Sequence, residues 1–198
     1  MSKTKRSKLT LIHCTLLIWS LLIASPIIAQ QNTIISIETS KGAIIVALFD
    51  EKAPITTQNF IQYVEDGFYT DTLFHRVVKD TFIQGGGFKK GLLLKKTRPP
   101  IKNEATNGLQ HKKGTFAMAR TTMVDSATAQ FFINIKDNPE FNHTQKTPFD
   151  YGYTVFGEVV DGLSVAEKIS NVSTTKKGLV KDLPQSDVWI KNIKIIRN

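Results

Sequence analysis

Phe74-His75-Arg76-Val77-Val78 and, just beyond it, Gln84-Gly85-Gly86-Gly87 decide how this chain reads. The first is a short apolar run carrying one arginine. The second is a triple glycine, which marks tightly placed backbone more often than a ligand cradle. Phe88-Lys89-Lys90 follow it instead of the Gly-Lys-Ser/Thr that a phosphate loop needs. Around this stretch, from Phe68 to Gly157, short apolar runs alternate with loops rich in glycine, proline and asparagine. Phe82-Ile83, Thr115-Phe116-Ala117-Met118, Phe131-Phe132-Ile133-Asn134-Ile135 and Tyr153-Thr154-Val155-Phe156 read as strands.

Toward the start, Ile34-Ile35-Ser36-Ile37-Glu38 and Ala43-Ile44-Ile45-Val46-Ala47-Leu48-Phe49 are β-branched-rich runs joined by Ser40-Lys41-Gly42, a hairpin signal. Pro54 opens a helix reading to Asp66, with Gly67 placed to end it. Phe60, Ile61 and Val64 give that helix an apolar face. A second helix spans roughly Leu163 to Ser170, with Asp161 or Ser164 able to cap it. The run from Val188 to Ile196 closes the chain as a strand expected to pair with the first hairpin. Many strands and two helices favour a closed barrel or a sandwich.

With 198 residues, 41% hydrophobic and 22% charged, the chain reads as one soluble domain able to bury a core without staples. Of the net charge of +9, four units come from Lys3, Lys5, Arg6 and Lys8, with no acid before residue 30. No Lys/Arg cluster is interleaved with stacking aromatics, so nucleic acid is not an expected partner. The basic start runs into the apolar stretch Leu9 to Ile23 and then Ala24-Ser25-Pro26-Ile27-Ile28-Ala29. That order predicts a cleavable signal peptide over residues 1–29 and an exported domain over 30–198. The apolar stretch is shorter than the roughly 18–20 residues of a spanning helix, so no stable membrane anchor is expected after cleavage. Cys14, the single cysteine, follows bulky His13 inside this stretch, which argues against a lipoprotein and leaves residues 30–198 without a thiol.

Much enzyme chemistry is missing. There is no Gly-x-Ser-x-Gly elbow and no His-Glu-x-x-His. His75, His111 and His143 stand at no metal-ligand spacing, so no metal site is expected.

The opening stretch is followed in order by Gly114-Thr115-Phe116-Ala117-Met118-Ala119-Arg120 and Ala129-Gln130-Phe131-Phe132-Ile133-Asn134. On these motifs the chain resembles the cyclophilin-type peptidyl-prolyl cis/trans isomerases from about Thr33 to Asn198. The longer loop from Asn142 to Gly152 resembles their bacterial periplasmic branch in particular. The resemblance implies a mostly β fold: a closed antiparallel barrel of about eight strands, capped by two α-helices, with the substrate groove outside. It also implies a monomer that needs no cofactor and acts on proline-containing unfolded or exported polypeptides.

By the same resemblance Arg76 is the catalytic arginine and Gln84 holds the substrate backbone. Phe82, Met118, Phe132 and Phe141 line an apolar slot for the proline ring. Ala119 and Arg120 offer main-chain groups to the preceding residue, and Gln130 buttresses the arginine. Tyr153 stands where many members carry histidine. Two positions depart from the pattern. Thr81 occupies a usual aromatic position, so one wall is expected to be smaller and more polar unless Phe82 fills it. Glu140 replaces an aromatic that helps to bind cyclosporin, and a carboxylate there predicts weak cyclosporin binding. A proline-segment-binding chaperone or holdase with little catalysis, and a carrier with a ligand inside the barrel, are the competing readings.

Overall fold

A computed structural model describes residues 32–178 and 180–197; the expected signal peptide, residues 1–29, lies outside the described residues. The β-branched runs at the start form the predicted hairpin, β1 (Ile34–Thr39) and β2 (Gly42–Leu48). After helix α1 (Pro54–Glu65) come β3 (Thr72–Val78) and β4 (Phe82–Gly85), then a two-residue pair, β5 (Phe88–Lys89) and β6 (Leu93–Leu94). The remaining elements are β7 (Thr115–Met118), β8 (Phe131–Asn134), β9 (Val155–Asp161), α2 (Leu163–Ser170), β10 (Thr174–Lys177), β11 (Val180–Pro184) and β12 (Trp189–Arg197). Eight of the strands close an antiparallel barrel in the order β1-β12-β3-β4-β8-β7-β9-β2, with the last strand beside the first as expected. Closure leaves no unpaired edge along the barrel wall.

The helices start by different means. Ala53, ahead of α1, offers no side-chain cap. Pro54 supplies the preset φ of a first helical residue. Glu104, from a distant loop, accepts from the first-turn N–H groups of Ile55 and Thr56 and from the Thr56 hydroxyl at 2.6–3.1 Å. Its carboxylate thus sits at the positive end of the helix. Helix α2 differs from the expectation that Asp161 or Ser164 would cap it. Left-handed Gly162 (φ +78°) occupies the cap position with no side-chain cap, and Asp161 accepts only the Gly162 N–H at 2.7 Å. A Cβ at Gly162 would stand 2.3 Å from the Ala43 carbonyl oxygen, so α2 can start this close to β2 only with glycine there.

The barrel interior is filled. Phe60 on α1 packs against Tyr69, Phe116, Phe131 and Phe156, with ring centroids 5.0–5.7 Å apart. All five are at most 1% exposed. Helix α1 therefore plugs the barrel with an aromatic side chain, which leaves the carrier reading without its internal cavity.

Two features were not legible in the apolar pattern. Strand β3 carries an irregularity: Phe74 pairs with Gly85 and Arg76 with Gln84, leaving His75 extra. The bulge lets Phe74 and Val77, three apart, both face the core, which strict alternation forbids. The β10–β11 hairpin begins with Thr174-Thr175-Lys176-Lys177, an exposed polar run with no alternation.

Truncating Phe60 removes the common neighbour of four rings. Phe60→Ala is expected to cost about 3–5 kcal/mol, read as a lower urea midpoint with an unchanged slope.

Candidate active site

Backbone register builds a groove on the outer face. Residues opposite one another in antiparallel strands share a face. Arg76 on β3 pairs with Gln84 on β4, Gln84 with Phe132 on β8, and Phe132 with Ala117 on β7. The four form a row across the outside of four strands. The bulge at His75 aims Arg76 into this row, the use to which bulges near functional sites are put. Phe82, two residues before Gln84, shares its face.

A groove of about 260 Å³ opens along this row, lined by Arg76, Phe82, Gln84, Ala119, Arg120, Phe132, Phe141 and Tyr153. Phe82, Phe132 and Phe141 stand 5.6–5.8 Å apart, and Tyr153 lies 5.5–5.6 Å from the latter two. These rings make an apolar floor and wall suited to a compact ring such as proline. The guanidinium carbon of Arg76 lies 4.9 Å from the Phe82 ring centre, and that of Arg120 lies 4.8 Å from the Tyr153 ring centre. Stacking of this kind holds a planar cation while leaving its edge free to donate.

Eight of the ten site residues read from the sequence line this one groove; Met118 and Gln130 do not. Met118 pairs with Phe131 and is 1% exposed within the barrel core. Its neighbour Ala117 takes the groove side, because consecutive strand residues point opposite ways. Gln130 accepts a hydrogen bond from Gln84 Nε2 at 2.9 Å, so it steadies the glutamine. Gly87 makes room for it, since a Cβ there would come within 2.5 Å of the Gln130 side chain.

The carboxylate beside Arg76 belongs to Asp182 of β11, 3.6 Å from Nε. Asp182 holds a left-handed backbone (φ +56°), uncommon for a residue with a Cβ. Sequence reasoning missed it because its hairpin lies about a hundred residues from the arginine and carries no motif.

Main-chain groups are partly committed. The Ala119 N–H donates to the Gln130 carbonyl at 2.9 Å, which leaves the Ala119 carbonyl for a bound chain. Arg120 donates to the carbonyls of Gly152, Thr121 and Pro148 at 2.8–3.0 Å and so clamps the 142–152 loop beside the groove. Thr81 is absent from the lining, and its carbonyl accepts from Asn138 Nδ2 at 3.1 Å. Phe82 supplies the wall without swinging, because β4 already faces it outward. Glu140 is exposed, and Phe141 beside it enters the groove.

Behind the wall lies a buried polar network that no sequence motif announced. His111 stacks on Phe132 at 5.7 Å with planes 7° apart. Its Nδ1 accepts from Asn134 Nδ2, and its Nε2 donates to the Tyr153 carbonyl, both at 3.0 Å. Asn134 also donates to Thr115 and accepts from Asn138. This arrangement requires a neutral ring, and burial holds the His111 pKa down to about 4. His75 packs on Phe88 at 4.5 Å with its Nδ1 unpartnered. Burial, helped by the charge of Arg76, brings its pKa to about 4 as well.

Taken together, the groove offers an apolar ring site, a fixed cation and amide groups, but no nucleophile. It can bind and polarise; it is not built to cleave. Among the described residues no cluster of three or more metal-ligating side chains occurs.

Comparison with known proteins agrees with this geometry. A family model described as cyclophilin type peptidyl-prolyl cis-trans isomerase/CLD matches residues 34–195. The chain is 48% identical over 169 residues to peptidyl-prolyl cis-trans isomerase A of Dickeya dadantii, covering 85% of this chain and 87% of that protein. It is 48% identical over 161 residues to peptidyl-prolyl cis-trans isomerase B of Escherichia coli, covering 81% and 98%. A Cryptosporidium parvum cyclophilin-type isomerase, crystallised in the presence of the dipeptide Ala-Pro, shares the fold. Its TM-score is 0.67 at 24% identity, over 83% of this chain and 99% of that one.

The two neutral histidines give the stability a pH dependence. Folded, both stay unprotonated down to about pH 4; unfolded, they take up protons near pH 6.5. Between those values the unfolded chain binds more protons, so stability drains as pH falls through this window, by at most about 1.4 kcal/mol per unit for each ring. Urea unfolding across this range is expected to show that slope, and His111→Gln to reduce it by about half, the His75 share remaining.

Proposed function

The chain belongs to the cyclophilin-type peptidyl-prolyl cis-trans isomerase family, and from that premise we propose how its groove turns X–Pro bonds. It is an isomerase of these bonds, and the reaction breaks nothing. Rotation is slow because resonance gives the amide C–N bond double-bond character and a barrier of about 18–20 kcal/mol. Lowering it requires tighter binding of the twisted amide than of either planar form.

The proline ring enters the space walled by Phe82, Phe132 and Phe141, with Tyr153 closing the side. Gln84, steadied by Gln130, holds the substrate backbone, while the Ala119 carbonyl and Arg120 flank the residue before proline. As the amide twists, its nitrogen becomes pyramidal and gains a lone pair. Arg76 donates to that nitrogen and stabilises the twisted form over the planar ones. The single observation that carries this reading is the Arg76 guanidinium beside the aromatic wall, engaged through Nε so that its two terminal amino groups remain for substrate. A guanidinium suits the task because it stays charged and planar. No general base is required, which fits a neutral, packed His75.

We further propose that the substrates are exported chains met in the periplasm after removal of residues 1–29. The support is the basic, apolar, small-residue order of that segment and the long 142–152 loop. A binding-only chaperone drew its sequence support from Thr81, whereas Phe82 walls the groove. The enzyme is proposed to act as a monomer. Weak cyclosporin binding remains the expectation, with exposed Glu140 next to Phe141 at the rim.

Two variants test the arginine. Arg76→Ala is expected to lower NMR-measured exchange of an Ala-Pro peptide by about 10²–10³-fold, with the peptide still bound. Unchanged exchange would sink the mechanism. Asp182→Asn keeps a residue that tolerates the left-handed backbone and removes the charge. It is expected to lower kcat about two- to fivefold, with KM and the urea midpoint unmoved.

A further inference from the structure

An unusual surface lies away from the groove, on the β5–β6 hairpin. The segment reads Phe88-Lys89-Lys90-Gly91-Leu92-Leu93-Leu94-Lys95-Lys96: three leucines bracketed by two pairs of lysines. Leu93 and Leu94 are 68% and 65% exposed, and Lys89, Lys90 and Lys96 are exposed with them. Soluble proteins seldom leave adjacent leucines in water, and where they do the patch usually marks an interaction.

The hairpin is held, not frayed. Lys89 pairs with Leu93 and Phe88 with Leu94. At its base the Lys95 N–H donates to the Gly87 carbonyl at 3.0 Å. The Lys95 ammonium binds the Phe68 carbonyl and lies 4.4 Å from the Phe68 ring centre. Phe88 packs on His75. At the tip, Gly91 and Leu92 both adopt left-handed backbone (φ +75° and +62°), a tight turn that leucine rarely joins. So the base is fastened to the barrel while the apolar tip is presented to solvent. Beside it, half-buried Trp189 shares a shallow hollow with Lys89, Lys90 and Asp71.

We propose that this hairpin docks the protein on an anionic phospholipid surface. The exposed lysines meet the headgroup phosphates, Leu93 and Leu94 enter the boundary between headgroups and acyl chains, and Trp189 lies at headgroup level. Charge complementarity selects this occupant. Three exposed ammonium groups beside one carboxylate, Asp71, on residues 30–198, which keep a net charge of +9 − 4 = +5, repel a second copy of themselves and attract an anionic plane. Tryptophan, lysine and leucine together are the composition of an interfacial element. An attachment made by exposed lysines and two leucines on a short hairpin is peripheral and salt-sensitive. Docked in this way, the enzyme would be concentrated where chains emerge from a membrane.

Residues 30–198 contain every barrel strand and both helices and are the protein to use, since the apolar segment before them would itself bind lipid. Trp189 is the one tryptophan in this span and reports on the hairpin. Vesicles of phosphatidylcholine alone and of phosphatidylcholine mixed with phosphatidylglycerol are titrated, following Trp189 emission and co-sedimentation. The expected result is on the order of a hundredfold tighter binding to the anionic vesicles at low salt, with a blue-shifted emission. Leu93→Ser with Leu94→Ser should weaken binding at least roughly tenfold, as should Lys89→Gln, Lys90→Gln and Lys96→Gln together. Peptide isomerisation, which uses none of these residues, should be unchanged in both variants and verifies their folding. Equal affinity for neutral and anionic vesicles, or binding indifferent to the leucine changes, overturns the proposal. So does a leucine variant that instead loses affinity for an unfolded polypeptide, or for a second copy of the chain, while the parent ignores vesicles.

Discussion

Phe131 and Phe132 are chain neighbours that face opposite ways across one thickness of sheet, and the two halves of this molecule hang on that alternation. Inward, Phe131 joins Phe60, Phe116 and Met118 in the plug that fills the barrel. Outward, Phe132 joins Phe82, Ala117 and Val155 under the groove. The same strands therefore carry a stability surface on one side and a binding surface on the other. A one-residue slip in register would exchange them, sending the groove rings inside and the plug into water. The filled interior resists such a slip, because Phe60, Phe116 and Phe131 already pack ring against ring within it.

Against this rigid frame, the polar parts of the site are placed by elements remote in sequence. The bulge at His75 turns Arg76 outward, and Asp182 reaches it from a hairpin that belongs to no barrel strand. The rear of the pocket is set by His111, Asn134 and Asn138, whose hydrogen bonds need a neutral imidazole. Burial supplies that neutrality. Buried polar networks specify one arrangement when their members are satisfied, and the Asn138 side-chain oxygen is the one acceptor here left without a partner.

How much of this could be read from the sequence depended on how local the cause was. The first hairpin, both helices and the closing strand announce themselves through β-branched runs, Pro54 and a terminal glycine. The order of the glycine and phenylalanine motifs carried the family, hence the barrel and eight of the residues now found around one groove. What escaped was non-local. Met118 looks like a pocket residue until pairing with Phe131 settles which face it takes. Strand β3 was hidden by its own bulge, which spoils the period-two pattern that would reveal it. Gln130 was tied to the arginine by analogy, and only three-dimensional placement turns it toward Gln84.

A plugged barrel also decides what kind of chain can be served. Since Phe60 and its neighbours occupy the interior, the working surface is an external trough that a polypeptide crosses instead of a tunnel that it threads. No free end is needed, and the flanking residues on either side of a proline can still belong to structure already formed. Such an enzyme can visit a proline in the middle of a chain, let go, and return to the same bond later, whether or not a terminus is within reach.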